Sequence, residues 1–284
     1  MERVFIIGTG LIGASTGLAL RTAGFGGRID GWDASQLEMA SAVQMGAIGG
    51  RAASRENALE LARLADVTVL AVPVIAIKDW MHRLAPVLSA GQLVTDVGST
   101  KLEIVELARE LFAGDTTAVF LPGHPMAGKE SGGALLAEAG LFDGAMWLFT
   151  PVSIEMTKIE KDWRGWMGCF GSRMLDMDAI RHDELCAWVS HLPQMLSTAL
   201  AALLEEKFGD APEIAAIGGR ALRETTRLGA SPYSMWRDVA MTNTGPIGDT
   251  LLALEQRLQH VRENLRTPEL RDEFVLANRF RQRR

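Results

Sequence analysis

Up to about residue 178, short apolar runs alternate with stretches of helical periodicity. The apolar runs predict β-strands at residues 4–7, 28–32, 67–72, 93–97, 118–121, 147–150 and 173–177. The stretches between them predict helices at residues 11–22, 35–45, 57–64, 75–88, 102–111 and 159–170. Strands that alternate with helices in this way form βαβ units with right-handed crossovers. The pattern therefore predicts an α/β fold with a doubly wound parallel sheet.

The strand-like runs stop after residue 178, and only helical periodicity follows. It predicts helices at residues 185–208, 212–227, 232–243, 247–264 and 269–281. Pro212, Pro232 and Pro268 stand where helices would begin, a position that proline favours. We therefore predict two domains, residues 1–178 with the sheet and residues 179–284 all-helical. Apolar positions 251, 254, 258, 261 and 265 form one helical stripe, which is typical of a domain core or of a dimer seam.

A glycine-rich turn, Gly8-Thr9-Gly10-Leu11-Ile12-Gly13, joins the first predicted strand to the first predicted helix. Gly8 allows the tight turn, Gly10 lets the backbone approach a pyrophosphate, and Gly13 lets the helix pack against the strand. The pyrophosphate would then rest on the N-terminus of that helix, beside Leu11 and Ile12. This context predicts a Rossmann-type dinucleotide-binding domain.

Asp33 follows the second predicted strand, where a carboxylate can accept a hydrogen bond from a ribose 2′-hydroxyl. The same charge would repel a 2′-phosphate, so the sequence predicts NAD rather than NADP. Arg28 or Arg51 could offset that charge and leave NADP open. Val72 and Pro73, at the end of the strand predicted at 67–72, are predicted to form an apolar wall of the cofactor site.

Two polar residues follow later strands of the same sheet. Ser99 comes soon after the strand at 93–97, and His124 soon after the strand at 118–121. Ligands of open parallel sheets bind beyond the carboxyl ends of the strands, so both side chains should reach one crevice beside the glycine turn. A dinucleotide, a hydroxyl and an imidazole in one crevice predict a dehydrogenase site.

Composition excludes several classes of protein. The 284 residues carry a net charge of −6, which argues against a general nucleic-acid binder. A strand is predicted from residue 4 with no charged and apolar leader before it, so we expect no signal peptide. The longest apolar run, 67–77, is shorter than the ~18–20 residues of a membrane span. The two cysteines, Cys169 and Cys186, fit no metal or disulfide pattern and are expected to be small buried residues. We expect a soluble, cytoplasmic protein without a metal site.

Four motifs carry a resemblance to a known family. They are Gly-His-Pro-Met-Ala-Gly at 123–128, Asp-Val-Gly-Ser-Thr-Lys at 96–101, Ser-His-Leu-Pro at 190–193, and Thr-Arg-Leu at 226–228 followed by Met235-Trp236. In this order they resemble the prephenate/arogenate (cyclohexadienyl) dehydrogenases of tyrosine biosynthesis. The resemblance extends from residue 4 to about residue 265 and includes both predicted domains.

The resemblance implies an oxidative decarboxylation that gives 4-hydroxyphenylpyruvate from prephenate. A hydride passes from the hydroxyl-bearing ring carbon to NAD⁺, carbon dioxide leaves the opposite carbon, and the ring becomes aromatic. His124 would accept the hydroxyl proton or polarise the O–H, which requires a neutral imidazole. Ser99 would bind the same oxygen and orient His124.

The resemblance also implies the substrate-binding residues. Arg227 would hold a substrate carboxylate through two parallel hydrogen bonds, and Glu130 or Glu224 could pair with it when no substrate is bound. His191 would contact the nicotinamide end of the cofactor or the substrate. Trp236 would pack against the substrate ring and form one wall of its pocket. Each of these residues also has a plain alternative, as a surface charge or as a packing residue.

Several alternatives stay open from the sequence. Residues 192–197 carry no charge that would bind an amino group, which favours prephenate over arogenate, although dual specificity remains possible. A β-hydroxyacid or imine-type dehydrogenase would have the same domain order, but residues 183–204 lack the lysine that the former uses. A dinucleotide-sensing protein without turnover is a more distant alternative. The family resemblance implies a homodimer through the helical domain.

Overall fold

The computed structural model describes residues 1–114 and 117–283. Asp115, Thr116 and Arg284 lie outside this part of the chain, and Arg284 is the residue at which the predicted second domain ends.

The first domain is built on a six-stranded sheet in which every neighbouring pair of strands is parallel. Its strands are β1 (Arg3–Ile7), β2 (Arg28–Trp32), β3 (Gly50–Arg51), β4 (Val67–Leu70), β5 (Leu93–Asp96) and β6 (Val119–Leu121). Their order is β3-β2-β1-β4-β5-β6, the order of dinucleotide-binding sheets, in which ligands bind where the direction of winding reverses between β1 and β4. The predicted fold class is confirmed.

Helices cover both faces of this sheet. They are α1 (Leu11–Thr22), α2 (Gln36–Gln44), α3 (Arg55–Arg63), α4 (Val74–Leu84) and α5 (Leu102–Leu111). Alternate residues of β1 serve opposite faces, because successive strand side chains point in opposite directions. Val4 and Ile6 pack in the core beneath α1, whereas Phe5 and Ile7 pack in the core beneath α3, α4 and α5.

The last two predicted strands do not extend the main sheet, and this corrects the prediction. They are β8 (Met146–Phe149) and β9 (Arg173–Asp176), joined by α6 (Lys158–Cys169). Together with β7 (Gly123–Pro125) they form a separate three-stranded sheet, with β7 antiparallel to β8. Trp147 and Phe149 of β8 pack in the core shared with α1. The physical reason is that β7 leaves the main sheet after β6 and offers a new edge on which β8 pairs.

The helical part begins with one continuous helical stretch that has an irregular centre. Its segments are α7 (Ala179–Cys186), a π-helical turn (Ala187–His191) and α8 (Leu192–Phe208). The stretch begins earlier than the predicted residue 185, because the Asp178 side chain accepts hydrogen bonds from the N–H groups of Ile180 and Arg181 and caps it.

The predicted helix at 212–227 is divided. Its parts are α9 (Pro212–Ile217), α10 (Arg220–Thr226) and a 3₁₀ turn (Arg227–Ala230). The break lies at Gly218-Gly219, which favours no single backbone conformation. Three further helices follow, α11 (Tyr233–Thr242), α12 (Thr244–Glu263) and α13 (Glu269–Gln282).

The helical domain buries little apolar surface within one chain. Helices α9, α10 and α13 contain no buried residue among those described. On the predicted apolar stripe, Leu258 is 54% exposed and Leu265 is 61% exposed, so the stripe is not the core of a single chain. Within residues 1–114 and 117–283, no helix combines the length and the apolar character needed to cross a bilayer.

Candidate active site

A cleft of about 360 Å³ lies beyond the carboxyl ends of β1, β4 and β5. The glycine turn, the residues after β4, the β5–α5 loop and the His124 region line one side, and α11 lines the other. The cleft includes the predicted site residues Gly10, Leu11, Ile12, Val72, Pro73, Ser99, His124 and Glu130. The sheet therefore brings most of the predicted residues together, as its topology requires.

The glycine turn has the shape that a dinucleotide needs. Gly8 has a φ of +94°, and a Cβ there would lie 2.2 Å from the carbonyl oxygen of Ala71. A Cβ on Gly13 would lie 1.8 Å from the carbonyl oxygen of Gly8, so the start of α1 packs directly on the turn. A Cβ on Gly10 would meet nothing within 4 Å, which leaves open space at the N-terminus of α1. The turn is thus tight where it touches protein and open where a pyrophosphate would bind.

Asp33 holds this turn from the end of β2. Its Oδ2 accepts a hydrogen bond of 2.8 Å from the Thr9 N–H, and its Oδ1 accepts one of 2.8 Å from the Ser35 N–H. A carboxylate oxygen has more than one lone pair, so both oxygens can still accept from a ribose hydroxyl. Arg28 pairs with Asp30 at 2.5 Å, so its charge does not lie free to offset Asp33.

His124 lies at the centre of β7, a short strand that the apolar pattern does not predict. It pairs with Leu148 of β8, so both its backbone and its ring are held. Gly123 at the start of β7 is fixed by a hydrogen bond of 3.2 Å from its N–H to Asp96 Oδ1. Ser99, in the loop after β5, lines the same side of the cleft as His124, so the two residues face one space.

Behind His124 lies a chain of hydrogen bonds that reaches the helical domain. His124 Nδ1 is 3.0 Å from His182 Nε2, and His182 Nδ1 is 2.8 Å from Asp183 Oδ1. Burial lowers the pKa of His124 well below its usual value, and the neighbouring His182 and Lys101 act in the same direction. Burial also lowers the pKa of His182, against the opposing effect of Asp183. Both imidazoles are therefore neutral at pH 7.

A buried ion pair shapes the loop that carries Ser99. Lys101 Nζ contacts Asp96 Oδ2, and both side chains are fully inaccessible. The same Asp96 oxygen accepts a hydrogen bond of 2.7 Å from the Gly98 N–H. Asp96 thus joins β5, the Ser99 loop and β7, which fixes the separation of Ser99 and His124.

Arg227 lies next to the cleft and is connected to it by Glu130, which lines the cleft. The two side chains form an ion pair, which links the 3₁₀ turn after α10 to the loop after β7. Glu224, the other predicted partner, pairs with Arg220 at 2.5 Å. Arg227 is therefore held by the one of the two candidate carboxylates that lines the cleft.

His191 and Trp236 lie outside this cleft. His191 is fully buried in the π-helical turn, where Asn243 Nδ2 is 3.1 Å from its Nδ1 and Trp236 packs edge-on at 5.8 Å between ring centroids. Burial lowers the pKa of His191 to about 4, so the ring is neutral. Trp236 lines a second cavity of about 500 Å³ among α8 and α11. The π-helical turn rotates His191 inward, which the sequence does not reveal.

Cys186, His124 and His182 form the one group of possible metal ligands found among the described residues. The thiol sulfur is 3.6 Å from His182 Nε2 and 3.9 Å from His124 Nδ1. The two ring nitrogens already hydrogen-bond to each other, and burial raises the pKa of the thiol to about 12. Hydrogen bonding therefore accounts for the group. Cys186 is buried as expected, whereas Cys169 is exposed, so that expectation was wrong for Cys169.

Comparison with known proteins identifies the family. Residues 16–168 match the family described as "Prephenate dehydrogenase, nucleotide-binding domain", and residues 178–279 match "Prephenate dehydrogenase, dimerization domain". The chain belongs to the prephenate dehydrogenase family. The resemblance predicted from the motifs is thereby confirmed.

Individual members of the family are similar over most of this chain. A prephenate dehydrogenase from Lactococcus lactis subsp. cremoris is 33% identical over 86% of the chain, which spans 65% of that relative's length. The crystal structure of the A. aeolicus prephenate dehydrogenase with hydroxyphenyl propionate and NAD⁺ is 27% identical, with a TM-score of 0.86 over 99% of this chain and 96% of that one. A Synechocystis arogenate dehydrogenase is 29% identical, with a TM-score of 0.78 over 99% of both chains.

Sequence reasoning missed four residues that organise this family site. Asp96 and Lys101 were seen as part of a motif but not as an ion pair, and His182 and Asp183 were not singled out. The adjacent His-Asp pair near the start of a helix was a signal that could have been used. Its partner, His124, is 58 positions earlier in the sequence, and that separation hid the contact.

Proposed function

We propose that the protein is an NAD-dependent prephenate dehydrogenase, which oxidises and decarboxylates prephenate to 4-hydroxyphenylpyruvate. The observation that carries this proposal is that His124 and Ser99 face the same cleft as the open glycine turn. Membership of the family and the likeness to a relative solved with NAD⁺ and a hydroxyphenyl acid support the choice of cofactor and substrate.

The protein residues supply position and proton acceptance. A neutral His124 would accept a hydrogen bond from the ring hydroxyl and then take its proton, since a protonated imidazole has no lone pair to offer. Ser99, on the same side of the cleft, would bind the same oxygen. Fixed contacts of this kind lower the barrier because they replace the search for a reactive orientation.

The cofactor site fits NAD on this chain's own residues. The open face at Gly10 would receive the pyrophosphate, Asp33 would accept from the ribose, and Val72 with Pro73 would cover the path to the reacting ring. Bound NAD⁺ would supply the hydride acceptor.

Arg227 would bind a carboxylate of the substrate. In the structure it is engaged by Glu130, so a substrate carboxylate would have to replace Glu130 on the guanidinium. Such an exchange would open the cleft to dianionic molecules and keep Arg227 paired when none is bound. His191 and Trp236 remain proposed substrate-side residues, which would reach the cleft only if α11 moved.

Arogenate is the second candidate substrate, because the Synechocystis relative is an arogenate dehydrogenase of similar identity. Its amino group would be helped by a free carboxylate. Glu130 is the acidic side chain among the described lining residues of the cleft, and Arg227 already neutralises it. This arrangement favours prephenate.

The test is the growth of NADH absorbance when the purified protein is mixed with NAD⁺ and either prephenate or arogenate. We expect faster turnover with prephenate, and with NAD⁺ rather than NADP⁺. Turnover with arogenate alone would replace the proposed substrate. Binding of NAD⁺ without turnover of either compound would instead support a dinucleotide-sensing protein.

We also propose a homodimer formed through the helical domain. The family match to a dimerization domain at residues 178–279 supports it, as do the exposed apolar side chains of α12 and α13. A cytoplasmic location remains a proposal that cell fractionation would test.

A further inference from the structure

The hydrogen-bond chain behind His124 fixes more than the position of its ring. We propose that His182, anchored by Asp183, is a positioning residue that holds His124 in the tautomer with a proton on Nδ1 and a bare Nε2 toward the cleft. The proposal rests on the function proposed above, because it concerns how His124 becomes able to accept a proton.

The chain starts at Asp183, whose carboxylate is held as an acceptor on both oxygens. Oδ1 accepts a hydrogen bond of 2.7 Å from the Lys101 N–H, and Oδ2 accepts one of 2.9 Å from the Leu102 N–H. These N–H groups begin α5, where Lys101 offers no side-chain cap of its own. Asp183 thus caps a helix of the other domain, at an end whose partial positive charge favours a carboxylate.

The direction of each hydrogen bond follows from this anchor. His182 Nδ1 must donate its proton to Asp183 Oδ1, 2.8 Å away. A neutral imidazole carries a single N–H, so His182 Nε2 is then an acceptor. His124 Nδ1, 3.0 Å from it, must be the donor. The single proton of neutral His124 is therefore on Nδ1, and its Nε2 has a free lone pair.

The opposite tautomer of His124 is disfavoured by its higher free energy. With the proton on Nε2, His124 Nδ1 would point a lone pair at the lone pair of His182 Nε2, with both rings buried. Two facing acceptors lose a hydrogen bond and leave buried polar atoms unsatisfied, which costs roughly 1–3 kcal/mol. A preference of this size keeps more than about eight molecules in ten in the reactive tautomer.

Neighbouring groups do not disturb this arrangement. The titratable groups that face the two rings are Asp183 and Cys186 on α7, the Lys101–Asp96 ion pair beside β5, and His191 in the π-helical turn. Lys101 is neutralised by Asp96, and the Cys186 thiol keeps its proton at neutral pH because burial raises its pKa to about 12. Cys186 touches both rings but carries no proton along the chain, which makes it the matched control.

The first test is ¹⁵N NMR of the five histidine side chains at pH 7, because ring-nitrogen shifts separate the two neutral tautomers. The His124 signals are identified by their loss in His124→Asn. We expect wild-type His124 to carry its proton on Nδ1, and the His182→Leu variant to gain the Nε2-protonated form. A wild-type ring with its proton on Nε2 would overturn the proposal whether or not the protein turns over prephenate.

The second test separates positioning from simple packing by kinetics. His182→Leu should lower kcat on the order of 10²-fold with the KM for NAD⁺ unchanged. His182→Gln should recover most of that loss, because its carbonyl can accept from His124 while its amide donates to Asp183. Cys186→Ala should keep the wild-type kcat. If folded His182→Leu keeps the wild-type rate and tautomer, His182 is only a packing residue.

Discussion

In its proposed role His124 must meet two requirements, because it must be buried enough to stay neutral and open enough to touch substrate. The residue is 8% exposed and lines the cleft. His124→Asn keeps a polar side chain of similar size but cannot accept the proton. We expect kcat to fall by roughly 10²–10⁴-fold, the usual contribution of a general base.

The affinity of His124→Asn for NAD⁺ should stay unchanged, because the glycine turn and Asp33 do not touch His124. Fluorescence titration with NAD⁺ provides that control. A variant that binds NAD⁺ normally and retains the wild-type kcat would remove His124 from the mechanism.

The buried histidines also predict how stability depends on pH. The pKa values of His124, His182 and His191 are all lowered by burial, so the unfolded chain binds protons below about pH 6.5 that the folded chain does not. The contribution of these three histidines to the free energy of unfolding is thus fully present above that pH and is lost as the pH falls. Each histidine contributes a slope of up to about 1.4 kcal/mol per pH unit, for His191 down to its folded pKa of about 4.

Urea unfolding between pH 7 and pH 5 measures this slope. The His191→Gln variant is the control, because it should unfold with a shallower dependence on pH whatever its absolute stability. A free energy of unfolding that stays level over this range would show that the three rings are not held neutral.

The Arg227–Glu130 ion pair predicts opposite effects for its two members. Arg227→Ala removes the group proposed to bind a substrate carboxylate, so KM for prephenate should rise by about tenfold or more. Glu130→Gln frees Arg227, so KM should fall or stay the same. Steady-state kinetics on both variants checks this, and Arg220→Ala, in a neighbouring surface pair, should leave KM unchanged. A raised KM in Glu130→Gln would mean that Glu130 binds substrate itself.

At the scale of elements, the six-residue turn between β1 and α1 contains glycines with different roles. Gly13 is needed for the fold, whereas Gly10 is expected to be needed only for cofactor binding. A methyl group at Gly13 would collide with the backbone of Gly8, so Gly13→Ala should destabilise the fold by about 3 kcal/mol. Gly10 already has an extended backbone, with φ −70° and ψ −158°, and open space around it. Gly10→Ala should therefore keep its stability and lose on the order of tenfold in NAD⁺ affinity.

Thermal melting and NAD⁺ titration of the two variants give this comparison. Equal losses of stability would mean that the space at Gly10 is not open in solution, and equal losses of affinity in folded proteins would remove the distinction between the two glycines.

How far these elements could be predicted depends on the range of the forces that form them. The main strands and α1 follow from local apolar patterns and one glycine turn, and they were predicted almost to the residue. The strand β3 has two residues, and β7 has three with a proline, so neither has a periodicity to detect. Whether β8 joins the main sheet or a new one depends on the edge that β7 offers, which is a long-range property.

The residues of the candidate site likewise fall into those that the sequence could predict and those that it could not. Gly10, Ser99 and His124 could be placed because each follows a predicted strand of one sheet, whose topology fixes where strand ends meet. The partners of His124 could not, since His182 lies on a helix that only tertiary packing brings near. The inward turn of His191 depends on one extra residue in a π-helical turn, which no pattern of apolar spacing reveals.

At the scale of the whole molecule, the two domains are joined through the site itself. Asp183 caps α5 of the first domain, and Asp238 of α11 accepts from the Ile75 N–H at 3.3 Å. Within the helical domain, Asn243 donates to the Asp183 carbonyl at 2.9 Å. Asp183, which anchors His182, is therefore also a contact between the two domains. Because Asp183 bonds both to α5 and to His182, the geometry of the histidine chain depends on how the two domains pack.

The apolar surface of the helical domain predicts its assembly. Phe274 of α13 is 64% exposed and Leu258 of α12 is 54% exposed, a poor arrangement for an isolated chain. In a twofold dimer each substitution acts twice, so Leu258→Lys would remove about 3–6 kcal/mol of apolar burial, or 10²–10⁴-fold in dimer affinity. Sedimentation should find wild-type dimers and variant monomers. Leu37→Lys, on α2 and 71% exposed, should remain dimeric, and a wild-type monomer would contradict the prediction.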